Sequence, residues 1–466
     1  MKHRIEYNKL IEKVFDFCIK ANIKFLLLSG VGGSGKSTLG KNIKKHFEDN
    51  GFVANLIDTD DFVIKSDVRK KTKVDYIDSV GNEYIASYTT SFVESYCLNS
   101  LSATIHNLKT GQKFYHVPKN ATDESEYVLL DGKADINIIE GVGSQFIDKP
   151  TNSLLIYVDC DLDTEVDRRI ARARDGESTK SREKIMEASV ARRKQLNSEA
   201  IIKQAKFDLI IKSEKNFDFI EKKDVFNVLG EDMNKDCDFA IKTIKQATNM
   251  LVKDFEVMDK DDKGDVVTSL ELNVEKYIIK KVRENYPDFD IISEEFSPNN
   301  TLTKNCVIVN GIDGSVNVSK KMPIFAVQMA IVREGVNTAS VVYLPFLNEL
   351  YYCDEESSYL NGKKTMVESV PLEKGLIALT GTKRINNMVK LQKYSLLFRD
   401  YGSIAVAFAW VASGKLSGAT YNGDKIWNYY PVIQLCKKAG AKIIDQKGVH
   451  IAACDDNFLK VLNLEK

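Results

Sequence analysis

Apolar positions along this chain come in two rhythms. Short apolar runs, "KFLLL" (24–28), "VANLID" (53–58), "INIIEG" (136–141) and "LLIYVD" (154–159), are separated by stretches in which apolar residues recur at helical spacing. The short runs predict buried strands and the spaced stretches predict helices, and their alternation predicts a parallel sheet wrapped by helices. "FDLIIK" (207–212) is expected to be the last strand of that sheet. Beyond it, residues 213–236 are charged and weakly patterned, and the domain boundary is expected there.

A different pattern opens the second half. Cys237, Ile241, Ile244, Thr248, Leu251 and Phe255 form a helical stripe that faces a core. A second amphipathic helix is expected over Leu272 to Val282, stopping before "YPDFD", where Pro287 restrains the chain. Strand-like runs follow at 306–310, 325–332, 338–344 and 349–354, with short connections of the kind found in α+β or layered α/β/α domains. The domains are thus expected at 1–212 and 236–466, joined by a linker over 213–235, with an α/β fold class throughout.

Composition narrows the class without choosing a function. A chain of 466 residues exceeds one ordinary core. With 43% hydrophobic and 28% charged residues it has the balance of a globular protein. Lys plus Arg and Asp plus Glu number 66 each, so no global field draws nucleic acid or acidic lipid toward it, and neither is expected as a partner. The first residues, "MKHRIEYNKLIEKVF", lack the apolar core of a signal peptide, and no apolar run approaches the ~18 residues of a membrane helix. The eight cysteines include no C-x-x-C pair, which favours reduced, buried thiols and a cytoplasmic location over disulfides or zinc.

Chemistry enters at "GVGGSGKS", Gly30 to Ser37, which fits G-x-x-x-x-G-K-[ST] between an apolar strand and a helix-like stretch. Glycines at Gly30, Gly32, Gly33 and Gly35 let backbone N–H groups of the loop, with Ser34 and Thr38, turn toward phosphate oxygens at a helix N-terminus. Lys36 is placed to reach the terminal phosphates and Ser37 to ligate Mg²⁺, so ATP and Mg²⁺ are the expected cofactors. A GTPase would need N-K-x-D, and the nearest match, "NKDC" (234–237), lacks the Asp. "IDTDDFVIKSD" (57–67) puts acids just past the second strand, where a carboxylate could accept the proton of an acceptor hydroxyl.

The P-loop, "TDDF" (59–62), "IIEG" (138–141) and "DRRIARARD" (167–175) together resemble the uridine kinase and phosphoribulokinase family, in that order. The resemblance implies a kinase acting on a hydroxyl of a nucleoside or sugar, and the expected acceptor is a small hydroxylated metabolite such as a nucleoside, sugar or polyol. It makes Asp60 the catalytic base, gives Glu140 a part in organising Mg²⁺, and makes Arg168, Arg169, Arg172 and Arg174 phosphate contacts from a lid helix. Arg168 and Arg172 fall on one helical face. Asp61, and His116 beside Tyr115 in "GQKFYHVPKN" (111–120), are expected near the acceptor. The aromatic pair that follows the catalytic Asp in the family is reduced here to Phe62-Val63, and the arginine spacing differs. Base and sugar identity therefore do not carry over.

A second set, "GDVVTSLELNVE" (264–275), "IISEEF" (291–296), "VIVNGIDGS" (307–315), "YGSIAVAFAWVASGKL" (401–416) and "IWNYYPVIQLCKKAGA" (426–441), resembles the inositol monophosphatase family. It implies a layered α/β/α/β/α domain that hydrolyses phosphate monoesters with Mg²⁺ ions, and oligomers, commonly dimers. Matching motif positions makes Glu294, the Ile312 carbonyl and Asp313 metal ligands, with Glu295 beside them, Ser315 and Glu271 orienting water. Asn310 and Asn428 stand where the family has Asp. Hard cations want charged oxygens, and each lost charge weakens binding by roughly several kcal/mol at an effective dielectric near 20. An ATP-dependent kinase fused to a phosphatase-like domain with an impaired metal site is the leading expectation. The alternatives are a bifunctional kinase and Mg²⁺-dependent monoesterase, or a nucleotide-gated, non-enzymatic interaction protein.

Overall fold

The computed structural model describes residues 4–77, 82–172, 180–196, 207–214, 219–221, 229, 233–249, 257–259, 266–394 and 397–463. The chain divides into two compact units, Met1–Cys18 with Ile23–Asp232, and Ile19–Asn22 with Met233–Lys466.

In the first unit the four apolar runs are strands, Phe25–Gly30, Ala54–Asp58, Ile136–Glu140 and Ser153–Cys160. Together with Leu209–Ser213 they form the parallel part of a seven-stranded sheet, in the order 54–58, 136–140, 25–30, 153–160, 209–213. Phe25, Leu27 and Ile139 from the sheet pack with Leu101, Ile105 and Leu108 of the helix Leu98–Lys109. The strand at 209–213 is not the last. Phe219–Glu221 adds to it in antiparallel fashion, and Arg4–Ile5 completes the edge. Strands of two or three residues carry no readable periodicity, which is why Phe219–Glu221 falls within the stretch 213–235 expected to be linker and Arg4–Ile5 is not expected as a strand. Two hairpins also escape the sequence pattern, Lys73–Ile77 with Glu83–Ser87, and Lys113–His116 with Val128–Asp131.

The second unit is built in five layers. Helices Lys235–Thr248 and Ser269–Asn285 cover one face of a seven-stranded sheet that runs from Asp290–Ser293 to Lys363–Thr365. Its first pair is parallel and the rest are antiparallel. The helices Ile404–Ala412 and Ile426–Lys438 fill the middle, where Phe408, Val411, Val432 and Leu435 pack against Val342 and Tyr351 on one side and Ala378 and Ala419 on the other. A second sheet of five strands follows, and Leu391 and Phe458 from the outer helices Arg384–Leu391 and Asp456–Leu462 close its far face. Of the expected helical stripe, Cys237, Ile241 and Ile244 are fully buried, whereas Leu251 and Phe255 lie outside the described residues. The helix expected from Leu272 begins three residues earlier, because Thr268 caps it by accepting the Glu271 amide on its hydroxyl (3.1 Å). All eight cysteines are free thiols, and seven of them are buried.

Candidate functional sites

The first site assembles at the C-terminal ends of three neighbouring parallel strands, the edge where open α/β sheets bind ligands. The strand Phe25–Gly30 runs into the P-loop, and the helix Lys36–Asp49 leaves it with no side-chain cap at its N-terminus, so its first amides remain directed at the loop. Gly35, at φ +92°, makes that turn. The Ser34 hydroxyl is buried in the loop with no hydrogen-bond partner. An uncapped helix start beside an orphaned hydroxyl fits an anionic ligand, so the residues present suit the phosphates of a nucleotide. Lys36 Nζ rests on the Val31 carbonyl at 3.3 Å.

Register brings the acids to this loop. Glu140 pairs with Leu28 on one side and with Asp58 on the other, at the ends of their strands. Burial raises the Glu140 carboxyl, while the charge of Lys36 and the hydroxyl of Ser37 act in the opposite direction. Asp58 is pushed up to about 7, first by burial and then by the facing carboxylates of Glu140 and Asp60. Its Oδ1 accepts the Asp60 amide at 2.8 Å and so shapes the turn Thr59–Phe62 that presents Asp60 outward. Asp58 belongs to the acidic run, but its pairing is not legible along the chain, because it depends on a residue 82 positions away.

Asp61 is engaged elsewhere. It accepts His116 Nε2 at 2.9 Å and the Lys119 amide at 3.0 Å, which fixes the hairpin at 113–116 beside the acceptor side. The His116 ring stacks on Phe62, while Tyr115 is exposed. The arginines separate. Arg168 donates to the Gly33 carbonyl (3.1 Å) and the Ser213 hydroxyl (2.7 Å), holding the P-loop to the end of the strand Leu209–Ser213, two places away in the sheet. Arg169 is buried against Glu165 and the Ser189 hydroxyl, so it is structural and does not face the nucleotide side. Arg172 is exposed at the end of the helix Leu162–Arg172, and Arg174 lies outside the described residues. The sequence missed Arg193, whose Nε meets Glu165 Oε2 at 2.7 Å and which also donates to the Cys160 carbonyl. Glu165 in turn packs under Gly32 and Gly33. Glu165→Ala deprives two arginines of a buried carboxylate and is expected to cost about 3–5 kcal/mol. Urea unfolding of the full chain measures this, and a loss under about 1 kcal/mol would mean the network does not support the loop.

The second site lies where the strand Cys306–Asp313 ends. A register shift between Asn310 and Asp313 bulges the strand there, as is common beside functional sites. Gly311 passes within 3.0 Å of the Glu271 carbonyl, measured from where a Cβ would sit, so the helix Ser269–Asn285 can approach. Glu275, unremarked in the sequence, accepts the amides of Glu295 (2.8 Å) and Phe296 (3.2 Å) and sets the loop that carries Glu294 and Glu295. One carboxylate oxygen each from Glu271, Glu294 and Glu295 lies within 4.8 Å of the others. Lys425 Nζ reaches Glu294 at 3.1 Å. Ser315 donates to Glu271 Oε1 (3.1 Å) and lies 3.4 Å from the Ile312 carbonyl.

Asp313 is buried and pushed up to about 6 by that burial, against hydrogen bonds from the Ser403 hydroxyl and the Ala405 amide. Both donors lie at the start of the helix Ile404–Ala412, whose N-cap is Ser403. Asn310 Nδ2 donates to Asn428 Oδ1 at 2.9 Å, so the two amides stand in direct contact. Gln328, opposite Asn310 in the next strand, donates to the carbonyls of Trp427 (2.9 Å) and Asn428 (3.2 Å). A pair of Mg²⁺ ions does not fit this set. Two positions that would have to be anionic are neutral and bonded to each other, and one oxygen of Asp313 is already doubly hydrogen-bonded.

Comparison with known proteins places the two sites in separate families. Residues 25–218 match the model of the phosphoribulokinase / uridine kinase family, and residues 232–459 match that of the inositol monophosphatase family. Among curated proteins, "Nus factor SuhB" of Salmonella typhimurium is 31% identical over 228 residues, covering 45% of this chain and 85% of that one. "Fructose-1,6-bisphosphatase/inositol-1-monophosphatase" of Thermotoga maritima is 28% identical over 236 residues, covering 48% and 89%. The solved structure of the extragenic suppressor protein suhB from Bartonella henselae aligns at 23% identity and TM-score 0.43, covering 48% of this chain and 94% of that chain.

Proposed function

The chain belongs to the inositol monophosphatase family through its second domain and carries a phosphoribulokinase / uridine kinase domain ahead of it, and on that premise we propose that it is an ATP-dependent kinase for a small hydroxylated metabolite whose second domain does not hydrolyse phosphate esters. The observation that carries the kinase reading is the convergence of the P-loop, Glu140 and the Asp58–Asp60 turn at one edge of three adjacent strands. Mg²⁺-bound ATP supplies the transferable phosphoryl group, with Lys36, Ser37 and the loop amides as its holders and Glu140 beside Ser37. Asp60 orients the acceptor hydroxyl and takes its proton. Asp58 holds the Asp60 turn by its amide, and Asp61 with His116 steadies the hairpin that borders the acceptor.

Family membership does not by itself settle hydrolysis, since the curated relatives carry both a factor name and phosphatase names. The direct contact of Asn310 with Asn428 supports the non-hydrolytic reading. Among the described residues no helix is long and apolar enough to cross a membrane. We further propose a homodimer, as the family resemblance suggests, to be read by light scattering of the full chain. The kinase assignment is tested by ATP consumption against a panel of nucleosides, sugars and polyols. Acceptor-dependent ADP release is expected for at least one class, and nucleotide binding without turnover on any acceptor would leave a nucleotide-gated binding protein instead.

A further inference from the structure

We infer that the side-chain amides of Asn310, Gln328 and Asn428 form a metal-independent cross-link of the second domain, at a place where paired carboxylates would repel; the inference rests on the non-hydrolytic reading above. Asn310 and Gln328 are directly paired in antiparallel strands and so share one face of the sheet. Asn310 Nδ2 bonds to Asn428 Oδ1 at 2.9 Å, and Gln328 Nε2 bonds to the Trp427 and Asn428 carbonyls at 2.9 and 3.2 Å. These three bonds tie two central strands to the first turn of the helix Ile426–Lys438.

Carboxylates at 310 and 428 would put two negative charges at this separation, so without a cation or a shared proton between them the contact would repel and weaken the join of strand and helix. An amide offers a donor as well as an acceptor, so the same contact becomes attractive with no ion present. Both asparagines and Gln328 are mostly or fully buried, where such a bond is shielded from water. Gln328 fixes its own orientation, because its nitrogen faces two carbonyls. Asn310 Oδ1 and Gln328 Oε1 are left buried without a hydrogen-bond partner, and both are neutral, so each costs less than an unpaired carboxylate oxygen would. The Glu294 carboxylate nearby has the Lys425 ammonium against it.

The test uses the full chain without nucleotide. Both tryptophans, Trp410 and Trp427, lie in the second domain, so their fluorescence reports its unfolding alone. The wild-type transition is expected at the same temperature in EDTA, in Mg²⁺ and in Mn²⁺. Asn310→Asp with Asn428→Asp is expected to melt at least about 5 °C lower in EDTA and to recover when Mn²⁺ is added. Gln328→Leu, which leaves every charge unchanged, is expected to lower the transition equally with and without metal. A double variant as stable as wild type in EDTA would overturn the inference while leaving the non-hydrolytic reading in place. A wild-type transition that rises with Mn²⁺ would likewise overturn the inference, and the non-hydrolytic reading is judged separately, by Mg²⁺-dependent release of phosphate from monoesters. If the double variant does not fold, the wild-type and Gln328→Leu arms still decide.

Discussion

Asp60→Asn is expected to lower acceptor-dependent turnover by about 10²- to 10⁴-fold, the range that removal of a positioned general base produces. The substitution is nearly isosteric, and Asp60 is exposed on its turn. The turn itself is held by the Asp60 backbone amide donating to Asp58, which the asparagine keeps. ATP affinity is therefore expected to stay within about twofold, since the P-loop contacts are untouched and the change acts mainly on the step that deprotonates the acceptor. The measurement is steady-state ADP release with and without acceptor, with nucleotide affinity determined separately. Turnover within about threefold of wild type would remove Asp60 from the chemistry. A parallel loss of ATP affinity would instead show that the charge of Asp60 contributes to binding.

Gly30→Ala is expected to collapse the first domain while sparing the second. A Cβ on Gly30 would sit 1.9 Å from the Val158 carbonyl oxygen, and the residue holds φ +144°. Val158 is the direct strand partner of Gly30 in the sheet, so neither backbone can withdraw without breaking the ladder. Positive-φ strain of roughly 1–3 kcal/mol and a clash of at least roughly 1–3 kcal/mol together consume much of the ~5–15 kcal/mol that typically stabilises a domain. Limited proteolysis is expected to cut the first domain at temperatures where wild type resists. Tryptophan fluorescence is expected to show the second domain's transition unchanged, which separates local collapse from general misfolding. A first domain that resists proteolysis as well as wild type would contradict the close approach at this position.

Much of this molecule could be read along the chain. The parallel strands follow from apolar runs that are buried on both faces, and the P-loop follows from glycine spacing between a strand and a helix. The neutral residues at 310 and 428 were equally legible, because a missing charge is visible in the letters themselves. The edge strands at 4–5 and 219–221 were not, since two or three residues cannot display a period.

What only the tertiary structure decided is the use to which each polar side chain is put. Four arginines in one run look equivalent in sequence, yet Arg168 holds a P-loop carbonyl and Arg169 is buried in an ion pair. Asp58, Asp60 and Asp61 are near neighbours, yet one faces Glu140, one faces outward and one takes His116. Gln328 gained its meaning only when a strand and a helix start 99 positions apart met. The physical reason is the same in each case. Burial and periodicity are local properties of composition, whereas the partner of a hydrogen bond or a charge is set by which distant segment the packed core brings within about 3 Å.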